Sequence, residues 1–137
     1  MNYVHKVQYY ETDRMGVTHH SNYIRWMEEA RVAFLQAIGW NYARLEQMGV
    51  TSPVIGVSCE FKNTTTFDDT VEIEIQVKGW NGVKLELSYT MHNQATGALV
   101  CVGVSSHCFL GTDGKILRLQ RTHPAFFQAL QAQVAAK

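Results

Sequence analysis

The longest amphipathic pattern in the chain runs from residue 22 to residue 38. Its bulky side chains recur at steps of three and four residues, the spacing that places them on one face of an α-helix. They are Tyr23, Trp26, Met27, Ala30, Phe34, Ala37 and Ile38. We predict a largely enclosed helix that Ser21 or Asn22 caps and Gly39 ends. Four charged residues are expected at its polar side: Arg25, Glu28, Glu29 and Arg31.

The pattern after Pro53 is typical of β-structure. Four segments rich in β-branched and aromatic residues are separated by short polar turns. They span residues 54–61, 71–80, 85–93 and 100–110. In the second segment, every other residue from Val71 to Val77 is apolar, which predicts an antiparallel strand with one solvated face. Asn81 and Gly82 predict a tight hairpin to the next strand.

Three further elements complete the predicted order. We expect a first strand over residues 2–10, a short helix over 42–48 and a C-terminal helix over 124–134 that frays toward Lys137. Consecutive strands beside one long helix predict a single α+β domain over residues 1–137, with an antiparallel sheet of about five strands. Because the helix is apolar on most sides, either the sheet wraps around it or a second subunit covers it.

The composition fits one globular domain and excludes two classes of partner. The 137 residues include 12 lysines and arginines and 12 aspartates and glutamates, so the formal net charge is zero. No global field therefore attracts nucleic acid or anionic lipid. We find no secretory signal and no apolar run near the roughly 18 residues that span a bilayer. Three cysteines without metal-binding spacing favour a reducing compartment, so we predict a cytoplasmic protein.

The densest group of chemically active side chains lies between the first strand and the long helix, over residues 9–23. Asp13 supplies a carboxylate, Gly16 supplies a flexible backbone, and the start of the helix presents peptide N–H groups at its positive end. A carboxylate beside a site for developing negative charge is an arrangement for acyl transfer. From these residues alone, a loop-capping role for Asp13 is the simpler explanation.

The spacing in this region resembles that of hotdog-fold acyl-CoA thioesterases of the 4-hydroxybenzoyl-CoA thioesterase type. The run is Asp13-x-x-Gly16-Val17-x-x-His20-x-x-Tyr23, followed by Arg25-Trp26-x-Glu28-x-Ala30-Arg31. The order of strand, long helix and four strands is also that of a hotdog domain. The resemblance implies a sheet wrapped around the long helix. It also implies hydrolysis of an acyl-CoA to free acid and coenzyme A, without a metal or dissociable cofactor.

Carried over residue by residue, the resemblance makes Asp13 the catalytic carboxylate. It would act either as a nucleophile on the thioester carbonyl or as a general base on a water, and both routes fit the sequence. The backbone N–H of His20 would polarise the thioester carbonyl. Gly16 and Val17 match the loop that admits the substrate, and Tyr23 matches an aromatic residue near the thioester.

The resemblance further implies a homo-oligomer, either a dimer or a tetramer. In such assemblies two sheets join edge to edge and the active sites lie at the interface between subunits. The region of Phe61, Lys62 and Asp69 would belong to that interface. The segment from Arg118 to Arg121 is one candidate for contact with the phosphates of coenzyme A.

Other interpretations are weaker but distinct. A metal site at His19, His20 and Asp13 is disfavoured because adjacent histidines point in different directions and lack metal-binding spacing. A hotdog hydratase or dehydratase would need a histidine and a carboxylate in a differently placed motif. A non-catalytic acyl-CoA-binding domain would bind without turnover. The remaining histidines are expected to be hydrogen-bonded structural or surface residues: His5, His92, His107 and His123.

Overall fold

The computed structural model describes residues 1–135, which form one five-stranded sheet and four α-helices. The strands are β1 (Asn2–Lys6), β2 (Val54–Phe61), β3 (Thr70–Trp80), β4 (Leu85–Asn93) and β5 (Leu99–His107). The helices are α1 (Ser21–Ala37), α2 (Tyr42–Gln47), α3 (Leu119–Thr122) and α4 (Pro124–Ala135). Neighbouring strands are antiparallel in the order β1-β3-β4-β5-β2. The predicted α+β class and antiparallel sheet are confirmed. Within the described residues, no helix is long and apolar enough to cross a membrane.

The core lies between the long helix and one face of the sheet. Helix α1 packs against β1 and β3, and it buries Trp26 and Phe34 from the predicted stripe. The alternating apolar residues from Val71 to Val77 on β3 are buried as the pattern indicates. Gly39 follows the helix with a φ of +88°, a conformation that favours glycine, and it ends α1 as predicted.

The predicted hairpin between β3 and β4 is confirmed. Asn81 Oδ1 accepts hydrogen bonds from the backbone N–H groups of Val83 and Lys84, at 2.9 and 2.7 Å. Gly82 takes a φ of +91° beside the ring of Phe127, which a Cβ atom would approach to 3.2 Å. The turn therefore needs glycine both for its backbone angle and for the close contact with α4.

The predicted first strand over residues 2–10 is wrong beyond Lys6. Residues Tyr9–Glu11 form a single 3₁₀ turn instead. The Glu11 carboxylate folds back and accepts a hydrogen bond from the Gln8 N–H at 2.8 Å, which closes this turn. Local alternation of apolar and polar residues cannot indicate such a bend, because the bend is stabilised by a carboxylate that is itself buried.

The start of α1 also differs from the prediction, since neither Ser21 nor Asn22 supplies the cap. The helix begins at Ser21, and the backbone N–H of Ser21 donates to Nδ1 of His19 at 3.3 Å. The side chain of Asn22 points backward and donates to the carbonyl oxygen of Glu11 at 3.0 Å. Arg31 was expected at the polar side of the helix, but it is buried, because it pairs with groups on neighbouring elements.

Two smaller differences concern the second half of the chain. Strand β5 ends at His107 rather than at residue 110, because Leu110 leaves the sheet and forms isolated bridges with Thr51 and Ile116. The four-residue helix α3 was not predicted. The predicted fraying toward Lys137 lies outside the described residues.

The two edges of the sheet are β1 and β2. Strand β2 carries four large apolar residues that are exposed in the single chain: Val54, Ile55, Val57 and Phe61. An exposed apolar edge strand is a template for pairing with another strand. The edge is therefore a candidate interface.

Candidate functional site

Asp13 lies at the first position of a tight turn before α1. Its side-chain Oδ1 accepts a hydrogen bond from the Met15 N–H at 2.9 Å. Its backbone N–H donates to the Val17 carbonyl at 2.8 Å, and its carbonyl accepts from the Gly16 N–H at 3.0 Å. Gly16 takes a φ of +80°. The second carboxylate oxygen accepts no hydrogen bond from residues 1–135, so it is available for chemistry.

His20 precedes the first residue of α1 and presents its backbone N–H without an intramolecular acceptor. In the part of the chain that the structure describes, this N–H donates no hydrogen bond to a carbonyl or side-chain acceptor. The neighbouring N–H groups of His19 and Ser21 are both paired, with the Glu11 carbonyl and with Nδ1 of His19. The N–H of His20 is thus a free donor beside the positive end of a 17-residue helix.

Two clefts meet at this loop. The larger one, of about 910 Å³, is lined by Asp13 and Gly16 together with His19 and Ser21. The smaller one, of about 410 Å³, is lined by His20 among other residues. The residues on either side of His20 line the first cleft and His20 lines the second, so the two clefts adjoin at this point of the chain.

Two further residues from the predicted site lie near these clefts. Tyr23 lines the smaller cleft, but the residue is buried and its hydroxyl hydrogen-bonds Thr65 Oγ1 at 3.2 Å. The Tyr23 ring packs against Phe61 with centroids 5.3 Å apart. Val17 is half-buried and lines neither cleft, and its carbonyl closes the turn with Asp13. The structure therefore brings Asp13 and Gly16 into one cleft, and His20 and Tyr23 into the other.

A buried carboxylate anchors the loop from below. Glu11 is only 4 % exposed, and its two oxygens accept from the Gln8 N–H, His5 Nε2 and Trp26 Nε1, each at 2.8 Å. The other ring nitrogen of His5 lies 2.8 Å from Glu29 Oε1. Burial disfavours the ionised form of Glu11, but these hydrogen bonds outweigh it and hold its pKa below the ordinary value.

This anchor was not identified from the sequence. Glu11 lies in the polar stretch before Asp13 and had no assigned role. His5 was expected only to be a structural or surface residue. The ring of His5 also stacks on Trp26, with centroids 4.5 Å apart. The only sequence signal was the presence of one histidine and two carboxylates on elements that flank the loop. Their pairing depends on the packing of α1 against β1.

A second set of buried polar side chains joins α1 to strands β4 and β5. The Arg31 guanidinium donates hydrogen bonds to both carboxylate oxygens of Glu28 and lies 2.9 Å from Nδ1 of His107. His107 Nε2 is 2.7 Å from Ser105 Oγ, which is 2.7 Å from the hydroxyl of Tyr89. Burial, assisted by the Arg31 charge, lowers the pKa of His107 to about 4, so the ring is neutral at pH 7.

The described residues hold no cluster of three or more His, Cys, Asp or Glu side chains with the geometry of a metal site. The rings of His19 and His20 stack on each other with centroids 4.3 Å apart. Nδ1 of His19 is occupied by Ser21. These contacts give the two histidines structural partners at the start of the helix.

Comparison with known proteins identifies the family of the chain. A family described as the thioesterase-like superfamily matches residues 7–134. The chain is 31% identical over 127 residues to a putative acyl-CoA thioesterase of Bacillus subtilis, which covers 92% of this chain and 91% of the relative. It is 24% identical over 119 residues to a 4-hydroxybenzoyl-CoA thioesterase of Pseudomonas, with 82% and 84% covered.

A solved structure shows the same architecture. The DHNA-CoA thioesterase of Staphylococcus aureus superposes with a TM-score of 0.91 at 29% identity, over 98% of this chain and 90% of that one. The predicted hotdog arrangement, with the sheet packed around the long helix, is thereby confirmed. The family match spans nearly the whole chain, and the protein belongs to the thioesterase-like superfamily.

Proposed function

We propose that this protein hydrolyses an acyl-CoA thioester to the free acid and coenzyme A, with Asp13 as the reacting carboxylate. The observation that carries the proposal is that one loop before α1 holds, at its two ends, the partly unpaired Asp13 carboxylate and the unpaired His20 N–H, each beside one of two neighbouring clefts. The names of the relatives support the substrate class, since they include an acyl-CoA thioesterase and a 4-hydroxybenzoyl-CoA thioesterase.

The chemistry needs a nucleophile on the carbonyl carbon and a donor at its oxygen. In one route, the free oxygen of Asp13 attacks that carbon, the C–S bond breaks, and the thiolate leaves and takes up a proton. Water then hydrolyses the mixed anhydride and regenerates Asp13. In the other route, Asp13 removes a proton from a water that attacks directly. In both, the His20 N–H stabilises the negative charge that develops on the carbonyl oxygen.

The cleft beside Asp13 suits an anionic thioester such as an acyl-CoA. Arg14 and Arg25 line it together with Asp13 and are exposed, so their guanidinium groups are available to phosphate oxygens. The formal net charge of the chain is zero, and attraction of coenzyme A therefore depends on such local cations. The earlier candidates at residues 118 and 121 line neither of the two clefts.

A thiol-release assay tests the proposed function directly. We expect purified protein to release free thiol from at least one member of a panel of alkyl and aromatic acyl-CoA esters, as followed with a thiol reagent. A hydratase would change the acyl group while the thioester stays intact. A binding domain would retain acyl-CoA without releasing thiol. Either of those results would contradict the proposal.

We further propose that two chains pair through β2, so that the site is completed at an interface. The support is the unpaired edge of β2 with its exposed apolar residues, next to the cleft that His20 lines. Phe61 belongs both to this strand and to that cleft. A continuous sheet across two chains would satisfy the free N–H and C=O groups of the edge.

Substitution on each edge separates this proposal from its alternatives. Ile55 on β2 is 55% exposed and Val4 on β1 is 51% exposed, so lysine at either position is compatible with the folded chain. We expect Ile55→Lys to yield monomers and to lower thiol release, because the introduced charges repel across the interface. Val4→Lys should leave both properties unchanged. Light scattering after size exclusion measures the mass; a monomeric wild type, or loss of pairing in Val4→Lys alone, would refute pairing through β2.

A further inference from the structure

The side chain of Asn22 is a buried polar group that takes no part in the chemistry proposed above. The residue is the second of α1 and is 8 % exposed. It lies one turn before Trp26, on the side of the helix that faces the core. An amide in this position loses its hydration, and its hydrogen bonds must offset that loss. The partners of the amide therefore indicate what the residue does.

Both hydrogen atoms of the Asn22 side-chain amide go to backbone carbonyls. Nδ2 lies 3.0 Å from the carbonyl oxygen of Glu11 and 3.3 Å from that of His19. Carbonyl oxygens only accept, so the NH₂ group, and not Oδ1, must face them. Although Asn22 is among the residues that line the cleft beside Asp13, its amide has no further hydrogen to donate to a substrate.

The two carbonyls lie at opposite ends of the loop that carries Asp13. Glu11 precedes Asp13 by two residues, and its carboxylate is held in the core. His19 directly precedes His20. One side chain on the first turn of α1 thus joins both ends of the loop. It restrains the position of the His20 N–H relative to the part of the loop that carries Asp13.

The contact with His19 also sets the direction of the His20 N–H. The His19 carbonyl and the His20 N–H belong to one trans peptide group, which is planar, so they point in opposite directions. The carbonyl oxygen accepts from the backbone N–H of Asn22 at 3.0 Å and from its Nδ2 at 3.3 Å. Two donors on one carbonyl oppose rotation of the peptide group. The unpaired N–H on the other side of that group is therefore held in one direction.

The bonds from the side chain are not needed to pair the two carbonyls. The Glu11 carbonyl already accepts from the backbone N–H of His19 at 2.8 Å, and the His19 carbonyl accepts from the backbone N–H of Asn22. Removal of the side-chain amide would leave neither carbonyl without a donor, so the large cost of an unpaired buried group would not arise. The distinct effect of the amide is on the geometry of the loop.

We propose that Asn22 is a positioning residue for thioester hydrolysis, which holds the peptide group between His19 and His20 so that the His20 N–H meets the oxyanion formed from the thioester carbonyl. Asn22 acts through the backbone and not through contact with the substrate. The orientation of such a donor matters most in the transition state, where the charge on the oxygen is largest. This inference rests on the proposed thioesterase function and adds a residue to its machinery.

Substitution of Asn22 tests the inference by separating rate from binding. Single-turnover thiol release is measured over a range of enzyme concentrations, with the acyl-CoA ester that the wild-type protein hydrolyses fastest. We expect Asn22→Ala to lower the maximal rate constant by about 30-fold and to change the half-saturating concentration by less than about threefold. This loss is smaller than the roughly 10²–10³-fold for removal of an oxyanion donor, because the backbone N–H of Asn22 still holds the His19 carbonyl.

Two further variants separate positioning from stability. Asn22→Ser supplies a hydroxyl with a single hydrogen, which in a helix can reach the carbonyl three residues earlier, that of His19. We expect its maximal rate constant to lie about fivefold below wild type, well above that of Asn22→Ala. Asn41→Ala is the matched control, because it removes another asparagine at a helix start, where Oδ1 accepts from the Arg44 N–H at 2.9 Å. This control should lose some stability and keep the wild-type rate.

The outcomes are separable. A wild-type rate in Asn22→Ala, a loss confined to the half-saturating concentration, no recovery in Asn22→Ser, or an equal loss in Asn41→Ala would each overturn the inference and leave the proposed function intact. Absence of thiol release by the wild-type protein from every ester would instead contradict the proposed function. If Asn22→Ala fails to fold, as judged by circular dichroism, Asn22→Ser decides: a wild-type maximal rate overturns the inference, and a fivefold loss at unchanged half-saturation supports it.

Discussion

Replacement of Asp13 by asparagine is expected to lower the rate of thiol release by about 10³-fold, which corresponds to about 4 kcal/mol of the activation barrier. Asparagine is neutral at neutral pH, so it neither attacks the thioester carbonyl as a carboxylate does nor removes a proton from water. Its amide oxygen can still accept the hydrogen bond from the Met15 N–H that holds the turn. The change therefore removes the chemistry while it preserves the loop.

Single-turnover thiol release, with enzyme in excess over acyl-CoA, measures this effect independently of product release. Asp113→Asn is a matched control, because Asp113 Oδ1 likewise accepts from the N–H two residues on, that of Lys115, at 2.9 Å. We expect the control to retain wild-type activity. Full activity in Asp13→Asn would exclude Asp13 as nucleophile and as general base.

The second large effect is expected from Glu11→Ala. The change leaves the Gln8 N–H, the Trp26 Nε1–H and one nitrogen of the His5 ring without their common acceptor inside the core. Breaking such a buried set by removal of one partner costs about 3–5 kcal/mol of the free energy of unfolding. For a chain of this size the melting temperature should fall by on the order of 10 °C.

Calorimetry at neutral pH measures the loss, with Glu74→Ala as the control. Glu74 is an exposed glutamate on β3 whose side chain accepts a hydrogen bond from Gln76, so its removal should change stability by less than about 0.5 kcal/mol. The loss of stability in Glu11→Gln should fall between those of the two alanine variants. The amide keeps one acceptor oxygen, but its NH₂ group faces a donor and cannot accept a hydrogen bond from it. Equal melting temperatures for Glu11→Ala and wild type would contradict an anchoring role for this carboxylate.

Glu11 also gives the wild-type protein an acid-sensitive contribution to stability. Its pKa in the folded chain lies below the ordinary value of 4.5. Between the folded and the unfolded pKa, the unfolded chain binds more protons than the folded chain. The contribution is therefore complete above about pH 4.5, and it is lost as the pH falls through the folded pKa. In Glu11→Ala this part of the acid dependence should be missing from melting curves recorded at decreasing pH.

The regular elements could be predicted because their signal is local. On β3 and α1, the side that faces the core is apolar at a period of two or of three to four residues, so the sequence alone shows which side is buried. Strand β2 and strand β4 occur at the predicted bounds, Val54–Phe61 and Leu85–Asn93. The prediction of the first strand failed beyond Lys6, because there a hydrogen bond from the Gln8 N–H to the buried Glu11 carboxylate decides the direction of the chain.

The candidate site was only partly accessible to the same reasoning. The spacing from Asp13 to His20 directed attention to the loop that borders the two clefts, because a carboxylate and a helix start are both visible in the sequence. The separation of Asp13 and His20 into neighbouring clefts was not visible. It depends on the turn at Gly16 and on the hydrogen bond from the His19 N–H to the Glu11 carbonyl, which together fix the path of the loop.

The sequence by itself determined the class of fold, the order of its elements and the loop that carries the candidate chemistry. Only the tertiary structure decided the partners of the buried polar groups. Arg31 and His107 are 76 residues apart, and His5 and Glu29 are 24 apart. Burial of an apolar face requires only that the face be covered, whereas a buried hydrogen bond requires two particular atoms within about 3 Å in the correct orientation. That requirement is met only when helix and sheet have packed in one register.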